Sequence, residues 1–145
     1  MAESGTGFNW RGKEYKRQME RHLGRNLDSA AIMLSAKIKE SFGSSGVTGT
    51  RSGATKAQRA ANRSEPWGPP NVDTGHLKRN VGYDTPVGRP FTRRVGTGIG
   101  NMMSVGYAMW LEFGTRKMLP RPFLRTAMSR FGAQIRKMIS RPMAG

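Results

Sequence analysis

Two histidines, nine Asp and Glu, a glycine triplet and ten methionines are the residues of this chain whose types could carry chemistry. A metal centre needs imidazole, thiolate or carboxylate ligands at short, regular spacing, and neither His22 nor His76 has a second histidine placed that way. Both read as solvated side chains. No serine lies in a Gly-x-Ser-x-Gly elbow, and the scattered carboxylates form no pair suited to general acid and base work. Gly96, Gly98 and Gly100 in VGTGIGN approach a phosphate cradle, but Asn101 stands where the dinucleotide pattern needs glycine and no Lys-Ser or Lys-Thr follows. A hairpin turn is the better reading. Met102, Met103, Met109, Met118, Met128 and Met138 resemble a soft binding surface, yet their spacing assigns most of them to a core. With no Cys, disulfides, thiolate zinc sites and cysteine nucleophiles are excluded. The expectation is a protein that is not an enzyme and has no cofactor or metal.

Charge is the feature that points outward. Twenty-five Lys and Arg against nine Asp and Glu give a net +16, more than solubility requires of so small a chain. The distribution is uneven: after Glu112 no acidic residue remains, while Arg116, Lys117, Arg121, Arg125, Arg130, Arg136, Lys137 and Arg141 follow. An anionic partner is expected, whether nucleic acid, an acidic protein surface or a membrane surface. The candidate contacts are Arg51, Lys56, Arg59 and Arg63 in the middle of the chain and Arg125, Arg130, Arg136 and Lys137 near its end. No helix-turn-helix pair, zinc finger or aromatic RNP-like pattern accompanies them, so sequence-specific recognition is not indicated. The first residues, MAESGTGFNW, lack the charged and apolar regions of an export signal, and no apolar run approaches the ~18 residues that span a bilayer. A soluble protein is expected, and of the anionic partners that charge alone admits, the membrane is not the one expected.

The elements that must position these residues follow from periodicity. At 145 residues the chain suits one domain, read here as a flexible extension over 1–12, an α+β domain over 13–141 and a short tail over 142–145. Tyr15, Met19, Leu23, Leu27, Ala31, Leu34, Ile38 and Phe42 recur every three or four positions, which predicts a long amphipathic helix over 13–42, continuous or bent near Gly24. Gly43 to Gly46 should stop it. Residues 44–72, rich in Gly, Ser, Thr, Arg and Pro, read as a long flexible arm in which 54–62 could turn helical on binding. Trp67, in EPWGPP, reads as a local packing plug. Asp73 or Thr74 should cap a short helix through Asn80, with Leu77 and Val81 pointing inward. Strands are predicted over 81–84, 92–97 and 104–113 as an antiparallel meander, the last from the alternation of Val105, Tyr107, Met109, Leu111 and Phe113. Pro120 and Pro122 delay the C-terminal helix, whose stripe is Leu124, Met128, Phe131, Ile135 and Met138. The predicted architecture is α+β, with a long N-terminal and a C-terminal helix packed on one face of a small antiparallel sheet.

Two segments carry a resemblance. The first is Asp73-Thr74-Gly75-His76-Leu77-Lys78-Arg79-Asn80; the second is Tyr107-Ala108, then Leu111-Glu112-Phe113-Gly114-Thr115, then Pro120-Arg121-Pro122-Phe123-Leu124-Arg125 and Ala127. In order and gaps they are similar to the neck and tail-completion proteins of long-tailed double-stranded DNA phages, also described as minor tail or head–tail joining proteins. With the two long helices, the similarity spans most of 13–140 apart from the arm. Asn80 stands where that family usually has Ser, Thr126 where Pro is common, and the arm is longer. The resemblance implies a structural virion protein at the head–tail junction, assembled in the host cytoplasm into a ring of six copies. Its neighbours there would be head-completion and tail-terminator or tail-tube proteins. The basic residues would face either genomic DNA in the channel or acidic neighbouring rings. The motif residues themselves read as architectural: Gly114 and Thr115 as a sharp exit, Arg121-Pro122-Phe123-Leu124 as a rigid start for the last helix, and Glu112 as a partner for Arg or a backbone cap. The competing expectation, from charge alone, is a non-specific nucleic-acid-binding protein.

Overall fold

The computed structural model describes residues 11–42, 67–68, 70, 75–99 and 105–143. Helix α1, Gly12–Ser41, runs 30 residues without interruption, about 45 Å at 1.5 Å per residue. Of the two alternatives left open at Gly24, the continuous helix is the one adopted. The helix ends at Ser41, with Phe42 already extended. Its apolar stripe is used only in part: Ala30, Ala31, Leu34, Ile38 and Phe42 are buried, while Tyr15 is 58% and Met19 49% exposed.

A short helix α2, His76–Arg79, leads directly into strand β1, Val81–Asp84, which pairs antiparallel with β2, Arg94–Thr97. The residue before α2 is Gly75 at φ 70, and no side chain caps the helix. Leu77 and Val81 are both buried. Asp84 receives two hydrogen bonds from the Arg94 guanidinium across the strands, at 2.9 and 2.6 Å, and this bonding and charge raise the Arg94 pKa.

The third predicted strand is a helix. Of the residues expected to alternate over 104–113, Ala108–Phe113 instead form helix α3, and 104 lies outside the described residues. Three members of the supposed apolar strand face, Tyr107, Met109 and Phe113, are 40%, 63% and 66% exposed, while Val105, Ala108 and Glu112 are buried. The inward positions are therefore i, i+3 and i+7, a helical face. An acid at the last of them hid the helical period.

The chain then closes with α4, Leu124–Ile139. Helix α1 is the shared wall of the fold: it packs along α4 and against both strands. Leu34, Ile38, Phe42, Leu77, Val81, Val105, Ala108, Phe123 and Ala127 form the core, with the Phe42 and Phe123 rings 5.5 Å apart. Phe123 is thus buried against the end of α1, whereas Leu124, the first residue of the predicted stripe of the last helix, is only half-buried. The methionine expectation also changes. Met109 and Met128 are exposed and Met118 and Met138 half-buried, so none of these four is core; Met102 and Met103 lie outside the described residues. Phe, Leu, Ile, Val and Ala side chains fill the interior instead.

Two glycines sit inside helices with room to spare. A Cβ at Gly24 would meet only Arg93 Nη2, at 3.9 Å, and one at Gly132 would meet nothing within 4 Å. Gly24→Ala and Gly132→Ala should each stabilise the protein by about 0.5 to 1 kcal/mol, the usual helix cost of glycine relative to alanine, read as a higher midpoint in urea denaturation with unchanged m.

Candidate functional site

The residues of the longer motif form one local structure at the start of α4. Gly114 ends α3 at φ 77, and a Cβ there would lie 2.8 Å from the Met118 carbonyl and 3.0 Å from Pro120. Only glycine fits. Thr115 and Met118 exchange backbone hydrogen bonds, 2.8 Å from the Thr115 N–H and 3.2 Å from the Met118 N–H, closing a tight turn with Arg116 and Lys117 at its tip. The chain then doubles back, the Arg121 N–H donating to the Leu111 carbonyl at 2.6 Å, and Pro122 and Phe123 go inside.

This return delivers the first N–H groups of α4 to the Glu112 carboxylate. Glu112 is 3% exposed. Oε2 accepts from the Phe123 N–H at 2.8 Å and the Leu124 N–H at 3.0 Å, and Oε1 accepts from the Arg125 N–H at 2.9 Å. The Arg125 side chain adds a donor to Oε1 at 3.3 Å and a second to the Glu112 carbonyl at 2.8 Å. A helix start has N–H groups without intrahelical partners and a partial positive charge, so a buried carboxylate is well matched there. The place where an external anion would bind is filled by the protein's own. Glu112 thus both pairs with Arg125 and caps the backbone.

The far end of α4 is also tied by a side chain. Asn26 Nδ2 donates to the carbonyls of Ile139 and Arg141 at 3.2 and 3.0 Å, and His22 Nε2 lies 2.8 Å from the Arg141 carbonyl, the distance of a donated hydrogen bond. His22 is therefore a half-buried tie between helices and not simply a solvated side chain. Arg93, whose side chain is only 10% exposed, pairs with Asp28 and reaches the carbonyls of Pro90, Thr92 and Gly24. It fastens the hairpin to α1. Neither Arg93 nor Asn26 stands out in the sequence, because their partners are 65 and 113 residues away.

Outward, the same unit is apolar and aromatic. Met109, Trp110, Phe113 and Leu119 are 55 to 66% exposed, and the Arg125 guanidinium lies over the Phe113 ring at 5.3 Å. Trp67, read as a plug, is 65% exposed, with φ 65 and its backbone N–H donating to the Pro120 carbonyl at 2.9 Å. Of the cations named as candidate contacts, Arg125 is engaged by Glu112, while Arg130, Arg136 and Lys137 are exposed on α4. Arg51, Lys56, Arg59, Arg63, Asp73 and Thr74 lie outside the described residues. His76 opens α2, far along the chain from any second histidine, and among the described residues no group of three His, Asp or Glu could hold a metal ion. No helix among them is long and apolar enough to cross a membrane.

No protein-family model matches the chain, and neither a curated protein nor a solved structure does.

The cap and the ion pair at Glu112 make separable contributions. Replacing Glu112 with Ala strands three N–H groups in or near the core and should cost about 3 kcal/mol, at about 1 to 3 kcal/mol per buried unsatisfied group with partial rehydration. Arg125→Ala removes an ion pair whose cation is 58% exposed and should cost less than about 1 kcal/mol. Chemical denaturation of both variants orders the two effects; equal losses would mean that the ion pair, and not the cap, holds α4 in place.

Proposed function

We propose that this chain is a structural virion protein of a tailed phage, a neck or tail-completion subunit that forms a ring joining the head's portal or connector to the tail tube around the DNA channel. The observation that carries the reading is the joint behaviour of the motif residues. The segment from Tyr107 to Ala127, on which the resemblance rests, builds a rigid unit whose inside is Glu112 and Phe123 and whose outside is Met109, Trp110 and Phe113. Aromatic and Met side chains beside Arg are the composition of protein interfaces, and a contiguous apolar patch of this kind is uncommon on a chain that works alone. The exposed Tyr15 and Met19 on the overhanging start of α1 offer a second such surface. A closed ring needs two different complementary patches on each subunit, and these are the candidates. Contacts with head-completion and tail-terminator or tail-tube proteins would use the faces that the ring leaves open.

Light scattering and negative-stain imaging of the purified protein, alone and mixed with portal and tail components, test this. Rings are expected. A monomer under all these conditions, indifferent to salt, overturns the proposal. Trp110→Ser, at a side chain 55% exposed, should abolish rings while leaving far-UV circular dichroism unchanged and shifting Tm by no more than about 2 °C, since exposed positions carry little stability.

A further inference from the structure

Helix α4 and its exit carry Arg125, Arg130, Arg136, Lys137 and Arg141 and no acidic residue. Arg125 is held by Glu112, and Arg130 lies with its guanidinium 5.6 Å from the Phe131 ring. Arg136 and Lys137 are exposed and pair with no carboxylate among the described residues. At 3.6 residues per turn, Ala127, Phe131, Ile135 and Met138 mark the inward side. On the outward side Ser129, Ala133 and Ser140 are exposed, with Arg136 along one edge of that strip and Arg130 and Lys137 along the other, about 110° apart around the axis.

A helix dipole accounts for part of this, because cations near a C-terminus are favourable. It does not account for Arg130, two turns earlier, or for the missing acids. Helix α1 shows the ordinary pattern: Lys13, Lys16, Arg17, Arg21 and Arg25 are interspersed with Glu14, Glu20 and Asp28. An unbalanced face is electrostatically unfavourable by itself and becomes favourable against a polyanion.

We infer that the outer face of α4 is a phosphate-binding surface for double-helical nucleic acid, with Arg130, Arg136 and Lys137 contacting the backbone and no base being read. An acidic protein partner fits less well, because protein interfaces centre on a buried aromatic or aliphatic anchor and the middle of this face is Ser129, Ala133 and Ser140. A single strand fits less well too, because its binders stack bases on aromatic side chains and this strip presents none. Phosphate contacts fix position and carry no sequence information. The inference needs no part of the connector reading, since a monomer and a ring both present this face.

Fluorescence anisotropy with short labelled duplexes of two unrelated sequences, titrated from about 50 to 200 mM salt, tests it. Both duplexes should bind alike. The combined Arg130→Gln, Arg136→Gln and Lys137→Gln variant should flatten the log affinity against log salt slope by up to about three, at about 0.9 for each phosphate no longer neutralised. A Lys13→Gln, Arg17→Gln, Arg21→Gln variant on α1 should change the slope by less than about 0.9, the equivalent of a single phosphate. Circular dichroism and Tm show that both variants fold. The inference is overturned if the full chain binds no duplex, if the α4 variant keeps the parental slope, or if the α1 variant loses as much. Tighter binding of the single strand than of the duplex, or displacement of the duplex by polyglutamate at equal charge concentration, overturns it as well. Ring formation is read by imaging, so failure here and failure of the connector reading are told apart.

Discussion

A carboxylate removed from water is costly unless several donors replace its hydration, and Glu112 meets that condition through the backbone. Three consecutive N–H groups at the start of α4 take the place of water, and the partial positive charge of the helix start adds to them. Neither side of the arrangement is stable inside the protein alone: the helix start would leave donors unsatisfied, and the carboxylate would be a buried bare charge. Each therefore specifies the position of the other. Because Glu112 lies on α3 and its donors begin 11 residues later, the segment between them has to turn back sharply, which fixes Gly114 at φ 77 and the tight Thr115 to Met118 exchange. The ring of Phe123, next to the first donor, is carried into the core against Phe42 by the same constraint.

From that seat, the path of α4 along α1 is set at two points. The N-terminal end is fixed by Glu112, and the C-terminal end by Asn26 and His22, which satisfy carbonyls that a helix end leaves open. Between them the helices meet through apolar side chains, whose attraction is non-directional. Polar ties at both ends set the register, while burial of Leu34, Ile38, Ala127 and Phe123 supplies most of the driving force. On the other flank of α1, Arg93 does the same for the hairpin, joining Asp28 and the Gly24 carbonyl to the loop carbonyls of Pro90 and Thr92.

What the sequence made legible is what depends on local period. The 13–42 stripe yields α1 within a residue at either end, and the 81–84 strand matches β1, because apolar spacing and nearby glycines decide both. What it hid are long-range polar choices. Glu112 occupies an inward helical position, so the stretch from Val105 to Phe113 shows period two to a reading that counts only apolar residues, although its acid is buried on the helical face and accepts from a helix start 11 residues on. Likewise, Met109 and Phe113 look like core and face outward. The Gly-Thr and Pro-Arg-Pro-Phe pieces were readable as a sharp exit and a fixed helix start, since glycine and proline act through their own backbone; what they serve, delivery of three N–H groups to one carboxylate, was not.

The two outward surfaces that result differ in kind, and their placement has a consequence for assembly. The seat turns Met109, Trp110 and Phe113 outward on α3, while α4, starting at the same seat, carries its unbalanced cations away from it. In the proposed ring, apolar contact between copies would be opposed by charge, since every added subunit would bring another +16. At physiological salt, like charges more than about 8 Å apart are largely screened when exposed, but those drawn together at an interface are not. A polyanion lying on α4 would relieve that repulsion without occupying the aromatic patch. The proposed ring and the inferred phosphate surface would then reinforce one another: nucleic acid would lower the electrostatic cost of bringing subunits together, and a ring would align several α4 faces along one duplex, raising the effective concentration of each for the next phosphate.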